Sequence, residues 1–189
     1  GVRLVGSEMC IRDSFKSLKL RLRSDVPIAI CLSGGVDSSG LASVLVKEFD
    51  FKTKTFSIID TDDRYNESKN IDYTIKDLNC ENIKISLNKN LFLDQLIDQI
   101  KYHDAPVATI SYFVHSLLTK SISENGFKVA ISGTAADEIY SGYYDHFLQH
   151  LKSCKDSNQD YELNLKYWKK YICKNIRNEN LKKGDLYIK

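Results

Sequence analysis

Apolar positions in this chain recur with two periods, and their alternation sets the architecture the sequence predicts. Val26 to Leu32 is a short apolar run closed by Ser-Gly-Gly, after which Leu41, Val44, Leu45 and Phe49 follow helical spacing. Thr53 to Ile59 is a second β-rich run, and Ile71, Ile75 and Leu78 share a helical face. Ile83, Ile85 and Leu87 then alternate as a third strand. Helical patterns return at Leu93, Leu96, Ile97 and Ile100, and again from Ile110 through Phe113, Val114, Leu117 and Ile122. A fourth strand is expected from Lys128 to Ser132. Strands that alternate with helices predict an α/β fold: a doubly wound parallel sheet with helices on both faces.

The two ends of the chain read differently. Residues 1–14 carry neither period and have the look of a translated linker, so they are expected to be a non-native tail without regular structure. Beyond His150 the sequence turns polar and lysine-rich, with Leu165, Trp168, Ile172 and Ile176 marking one amphipathic helix. Three segments are therefore expected: the tail 1–14, an α/β domain over 15–150, and a helical, partly basic extension over 151–189.

Composition narrows the function classes. The chain has 189 residues and a formal net charge of +2, too small a surplus to argue for a nucleic-acid or acidic-membrane partner. Eight Lys or Arg stand against two acids between Leu163 and Lys189, which is read as the solvated face of a helix. No apolar run is long enough for a membrane span or signal peptide, so a soluble cytoplasmic protein is expected. Five scattered cysteines without a C-x-x-C pair are read as reduced thiols, and the four histidines lack metal-ligand spacing.

The chemistry concentrates in Ser33-Gly34-Gly35-Val36-Asp37-Ser38-Ser39, where a strand hands over to a helix. Such a loop offers main-chain N–H groups and the positive end of a helix dipole to an anion. Gly34 and Gly35 permit close approach of a pyrophosphate, and Ser33, Ser38 and Ser39 add hydroxyls. The spacing lacks the lysine of a Walker A loop. Asp37 beside a polyphosphate demands a cation, which Mg²⁺ would supply.

This loop resembles that of the ATP-pyrophosphatase superfamily, which cleaves ATP between its α and β phosphates. A second motif, Val129-Ala-Ile-Ser-Gly-Thr-Ala-Ala-Asp-Glu-Ile-Tyr-Ser-Gly-Tyr143, is similar to the synthetase domain of glutamine-hydrolysing asparagine synthetases. Arg21-Leu-Arg-Ser-Asp-Val-Pro27, Thr55-Phe-Ser-Ile58, Asn66-Glu-Ser68 and Asp104-Ala-Pro106 extend the resemblance over about Phe15 to His150.

The resemblance implies an adenine nucleotide alpha hydrolase-like fold and an ATP site formed by Leu32, Ser33, Gly34, Gly35, Val36, Asp37, Ser38, Ser39, Ile58, Ser132 and Gly133. Asp37 and Asp137 would hold the magnesium. Ile58 is either a wall of the adenine site or a plain core residue. Glu138 is either a carboxylate supporting the metal site or the exposed partner of Asp137. The implied reaction is AMP-forming amide synthesis by adenylation of a carboxylate, aspartate above all, with glutamine-derived ammonia.

Where the family carries an acid after the second Ser-Gly, this chain has Thr134, and a hydroxyl is not a base at neutral pH. The acceptor is thereby left open, with a surface sugar or a β-lactam precursor as alternatives. So are a tRNA-modifying adenylating enzyme and a degenerate nucleotide-binding module. The family's amino-terminal glutaminase and downstream catalytic lysine are not found in these 189 residues, so the chain alone is expected to be an inactive fragment.

Overall fold

The structure, a computed structural model, describes residues 2–62, 65–157, 160–176 and 179–182. Two compact units divide the chain, Gly1–Gly133 and Thr134–Lys189. In the first unit the order is α1 (Val2–Arg21), β1 (Ile28–Cys31), α2 (Val36–Lys47), β2 (Lys54–Ile59), α3 (Ser68–Leu78), β3 (Glu81–Ser86), α4 (Phe92–His103), α5 (Ile110–Glu124) and β4 (Val129–Ile131).

The four strands form one parallel sheet in the order β3-β2-β1-β4, with Ile30 beside Thr55 on one side and beside Ile131 on the other. Because successive side chains of a strand point to opposite faces, β1 feeds two cores. Ile28, Ile30 and Leu32 pack with Ala42 and Leu45 of α2 and with Ile71 and Leu78 of α3. Ala29 of β1 and Phe56 of β2 pack with Leu118 and Ile122 of α5. Helices thus cover both faces, as the periodicity predicts.

Chain order along the sheet matters for function. From β1 the chain builds outward through β2 and β3, then crosses back to place β4 on the other side of β1. The chain order reverses beside β1, and open sheets of this kind place their ligand crevice at the carboxyl ends of the strands flanking such a reversal. Both glycine motifs follow those strand ends.

One expectation is corrected. Residues 1–14 do not lack regular structure, because α1 runs from Val2 to Arg21. No proline occurs before Pro27, and Arg, Leu, Glu, Met and Lys are all strong helix formers that tolerate the single Gly6. Phe15 then anchors the helix edge-on against Phe49, with ring centroids 6.1 Å apart. The helix expected from Leu93, Leu96, Ile97 and Ile100 is present as α4. The stripe Leu93, Ile97 and Ile100 faces outward, and the polar Gln99 is the helix's buried residue.

The second unit is helical: α6 (Ala136–Tyr140), α7 (Tyr144–Asp156) and α8 (Tyr161–Tyr167), then a π turn over Trp168–Ile172 and two short 3-10 turns. Leu148, Leu151, Trp168 and Ile176 make its core, with Leu165 and Ile172 packed alongside. The amphipathic face read from Leu165, Trp168, Ile172 and Ile176 is therefore the buried one. Arg177 and residues 183–189 of the basic tail lie outside the described residues. No helix among the described residues is long and apolar enough to cross a membrane.

Candidate functional site: the glycine loops at the sheet crossover

Ser33 to Gly35 leave β1 and enter α2, whose cap is Gly35 with φ −74° and ψ 162°. A glycine cap has no side chain to accept from the first-turn N–H groups, so these amides are suited to an external anion. Gly34 has a φ of +85°, open to glycine but strained for other residues. A β-carbon there would also lie 3.0 Å from both Cβ and the main-chain oxygen of Glu67. The loop is thereby held against the start of α3.

The Asn66-Glu67-Ser68 segment builds that wall. Asn66 Oδ1 accepts the Ser68 N–H at 2.9 Å, a local turn that sets the entry of α3 and leaves the Glu67 main chain facing the loop. The motif is visible in the sequence, but its contact with Gly34 has no spacing signature.

Within the loop, hydroxyls serve the loop itself. The Ser33 N–H donates to Ser38 Oγ at 3.1 Å, Ser38 Oγ donates to the Gly35 carbonyl at 3.2 Å, and the two serine oxygens are 2.9 Å apart. Ser38 is buried, so its hydroxyl braces the turn from inside, whereas the sequence suggested an outward donor. Ser33 and Asp37 are exposed, and Val36 is 84% exposed. Ser39 accepts from Thr74 Oγ1 at 3.2 Å, a second tie to α3.

At the end of β4, Gly133 comes in over the first turn of α2. A β-carbon on Gly133 would lie 2.9 Å from the Ser38 nitrogen and 3.2 Å from the Asp37 carbonyl carbon. The Ser-Gly of the second motif is therefore built against the first. Of the remaining residues implied for ATP, Leu32 has its side chain in the core, with its N–H on the Phe56 carbonyl at 2.8 Å. Ligand contact by Leu32 would have to be through its main chain. Ile58 is half-buried and packs on the α5 side of the sheet.

The second motif continues into the other unit, where α6 is bracketed by left-handed Ala135 and Ser141, with φ of 78° and 57°. Asp137 folds its carboxylate back on the turn that follows, so that a β-carbon on Gly142 would overlap Asp137 Oδ1. Glu138 accepts a 2.6 Å hydrogen bond from the Tyr143 hydroxyl. That bond, helped by a main-chain N–H and by nearby His146, holds the Glu138 carboxyl below its usual range. The same bond, with the negative charge behind it, pushes the Tyr143 phenol up to about 12. Thr134 is exposed at the head of this unit.

No group of three or more His, Cys, Asp or Glu able to hold a metal occurs among the described residues. A hard cation carried in on phosphate oxygens needs only one or two carboxylates and water, and Asp37, exposed on the first turn of α2, has the donor chemistry for it. The glycine cradle likewise suits a pyrophosphate. All five cysteines are free, and burial raises the thiols of Cys31 and Cys80.

Fold and loops together define an α/β domain with a phosphate-type glycine loop at the crossover of a parallel sheet. The asparagine synthase profile matches residues 12–186, and the chain belongs to that family. It is 34% identical over 138 residues to the glutamine-hydrolysing asparagine synthetase 1 of Bacillus subtilis, a match covering 70% of this chain and 21% of that protein. The putative asparagine synthetase 2 of Methanocaldococcus jannaschii is 32% identical, with 70% and 25% covered. Amidase chyE of Penicillium rubens is 26% identical over 155 residues, with 75% and 23% covered. The chain thus spans about a fifth to a quarter of the length of these relatives. A solved structure, the predicted subunit of a tRNA methyltransferase from Methanocaldococcus jannaschii, has a TM-score of 0.38 at 23% identity over 68% of this chain and 63% of its own. That likeness is too slight to inform function.

Proposed function

We propose that this chain is the nucleotide-binding part of an ATP-dependent, AMP-forming amide synthetase that activates a carboxylate, with aspartate as the acceptor and glutamine-derived ammonia as the nucleophile. One observation carries the reading: Gly133 packs on the Ser38 amide, so two glycine turns enclose one crevice end. The α2 amides and the Ser33 hydroxyl orient phosphate oxygens there, and Gly34, Gly35 and Gly133 leave room for them. Asp37 and Asp137 are the carboxylates assigned to Mg²⁺, which would neutralise the phosphates and stabilise pyrophosphate as it leaves. Relatives named as glutamine-hydrolysing support the nitrogen source, which calls for a glutaminase partner. In that setting the protein works in the cytoplasm, without nucleic acid.

A second reading is favoured by Thr134 and by the relative named as an amidase. In it the adenylated acceptor is a different carboxylate, or the product is a different amide. MgATP binding to the chain tests the nucleotide assignment. ATP–pyrophosphate exchange in a longer protein containing it, run with aspartate and a panel of other carboxylates, tests the acceptor. Exchange with aspartate is the expected result, exchange only with another acid favours the second reading, and no MgATP binding overturns both.

A further inference from the structure

Asp137 sits on a helix too short to hold itself. α6 has five residues, too few to persist on their own hydrogen bonds, and both of its flanks, Ala135 and Ser141, are non-glycine residues in the left-handed region. Its apolar Ile139 does not anchor it either, being 71% exposed. The direction in which Asp137 points is therefore set by whatever ties the turn 137–143 together.

The contacts that do so converge on Tyr143. The Gly142 N–H donates to the Asp137 carbonyl at 2.9 Å, which closes the turn, and Gly142 sets bare backbone against the Asp137 carboxylate. Tyr143, the next residue, reaches back across the turn and donates from its hydroxyl to Glu138 Oε1 at 2.6 Å, the short length of a bond to a charged acceptor. From the other side the His146 ring, in the first turn of α7, packs on the Tyr143 ring with centroids 5.2 Å apart, and the His146 N–H donates to the Tyr143 carbonyl at 3.1 Å. Tyr143 is thus a strut from the start of α7 to α6. Its phenol keeps Gly142 in place, and Gly142 limits the rotamers open to Asp137.

We propose that Tyr143 is a positioning residue: through its hydrogen bond to Glu138 it keeps Gly142 on the Asp137 carboxylate and so presets Asp137 for magnesium, with Glu138 serving as the anchor of Tyr143. The role rests on the assignment of Asp137 to the MgATP site. Two measurements on the 189-residue chain test it, the magnesium midpoint for ATP binding by calorimetry and amide hydrogen exchange at Gly142 by NMR. Tyr143→Phe keeps the ring on His146 and loses the hydroxyl, so it should raise the magnesium midpoint and speed Gly142 exchange, each by about three- to tenfold. Glu138→Ala should do the same, and adding Tyr143→Phe to it should change nothing further. Glu138→Gln keeps an oxygen for the phenol and should recover most of what Glu138→Ala loses. An unchanged magnesium midpoint in Tyr143→Phe and Glu138→Ala, additive losses in the double variant, or equal losses in Glu138→Gln and Glu138→Ala would overturn the role and leave the nucleotide reading standing. A wild-type chain that does not bind MgATP would remove both. Unchanged Gly142 exchange in Tyr143→Phe would dispose of the strut by itself, with or without nucleotide.

Discussion

Gly133 and Ser38, ninety-five residues apart in sequence, are close enough that one methyl group on Gly133 would press on the Ser38 main-chain nitrogen at 2.9 Å. Backbone meets backbone there, so neither partner can rotate away. Gly133→Ala should cost about 1–3 kcal/mol of stability by overpacking and should also loosen the loop that it displaces. Urea unfolding and MgATP affinity, measured side by side, are both expected to fall.

Gly34 is constrained twice, by its φ of +85° and by Glu67 at 3.0 Å. Gly34→Ala should therefore be at least as damaging as Gly133→Ala, and Glu67→Gly should recover part of the loss by removing the opposing β-carbon. A lack of any recovery would mean that backbone strain, rather than the contact with α3, dominates.

Asp37 is exposed on the first turn of α2, where its charge supports the helix dipole but fills no core. Asp37→Asn should leave thermal stability within about 1 kcal/mol while abolishing the magnesium dependence of ATP binding. Asp137→Asn should do the same. Unchanged magnesium dependence in either variant would remove that residue from the proposed metal site.

The hydrogen bond from Tyr143 to Glu138 predicts a pH signature. A phenol raised to about 12 favours folding fully below its unfolded pKa and loses that contribution as pH rises through the folded value. The depressed Glu138 carboxyl does the converse: its contribution is present above the unfolded pKa and fades as pH falls through the folded one. Spectrophotometric titration of tyrosinate should show a late-ionising phase from Tyr143. Tyr143→Phe should delete that phase, and Glu138→Gln should shift it to lower pH; its persistence in Tyr143→Phe would assign it elsewhere.

Thr134 discriminates between acceptors. With aspartate as substrate, Thr134→Ala should retain appreciable adenylation and Thr134→Glu should be tolerated, because the proton is taken by a carboxylate elsewhere. If another acceptor is used, Thr134→Glu should place an unpaired charge in its pocket and raise KM. Steady-state kinetics of both variants with aspartate separate the two.

Most of the sheet was legible in short β-rich runs: the one ending at Cys31 is apolar and largely buried, the one ending at Ile59 alternates Phe56 and Ile58 with Thr55 and Ser57, and Val129 to Ile131 is apolar although only Ile131 is buried. The glycine loop was legible for a related reason, since glycines and hydroxyls clustered at a strand end have few purely structural uses. The orientation of α4 was not. Periodicity says that Leu93, Leu96, Ile97 and Ile100 share a face, but not whether any element covers it. Leu96 is half-buried and Gln99 buried, while Leu93, Ile97 and Ile100 look outward. Nor could spacing reveal that Ser38 turns its hydroxyl inward, that Gly34 rests on Glu67, or that Gly142 makes room for Asp137. Each is a close approach fixed by tertiary geometry, and only the glycines hint at it. The helicity of residues 2–14 has no signature in the hydrophobic pattern, and with Val2, Val5, Gly6, Ser7, Cys10, Ile11, Asp13 and Ser14 among them intrinsic propensity does not announce it either.

The position of β4 has a practical consequence for anyone handling the protein. Among the described residues β4 is paired on one side alone, to β1, and its Val129 and Ala130 are exposed. A short apolar edge of this kind is a template for the same edge in another molecule. Concentrated samples should accordingly form sheet-mediated aggregates, and Val129→Lys, which plants a charge on that rim, should keep them clear.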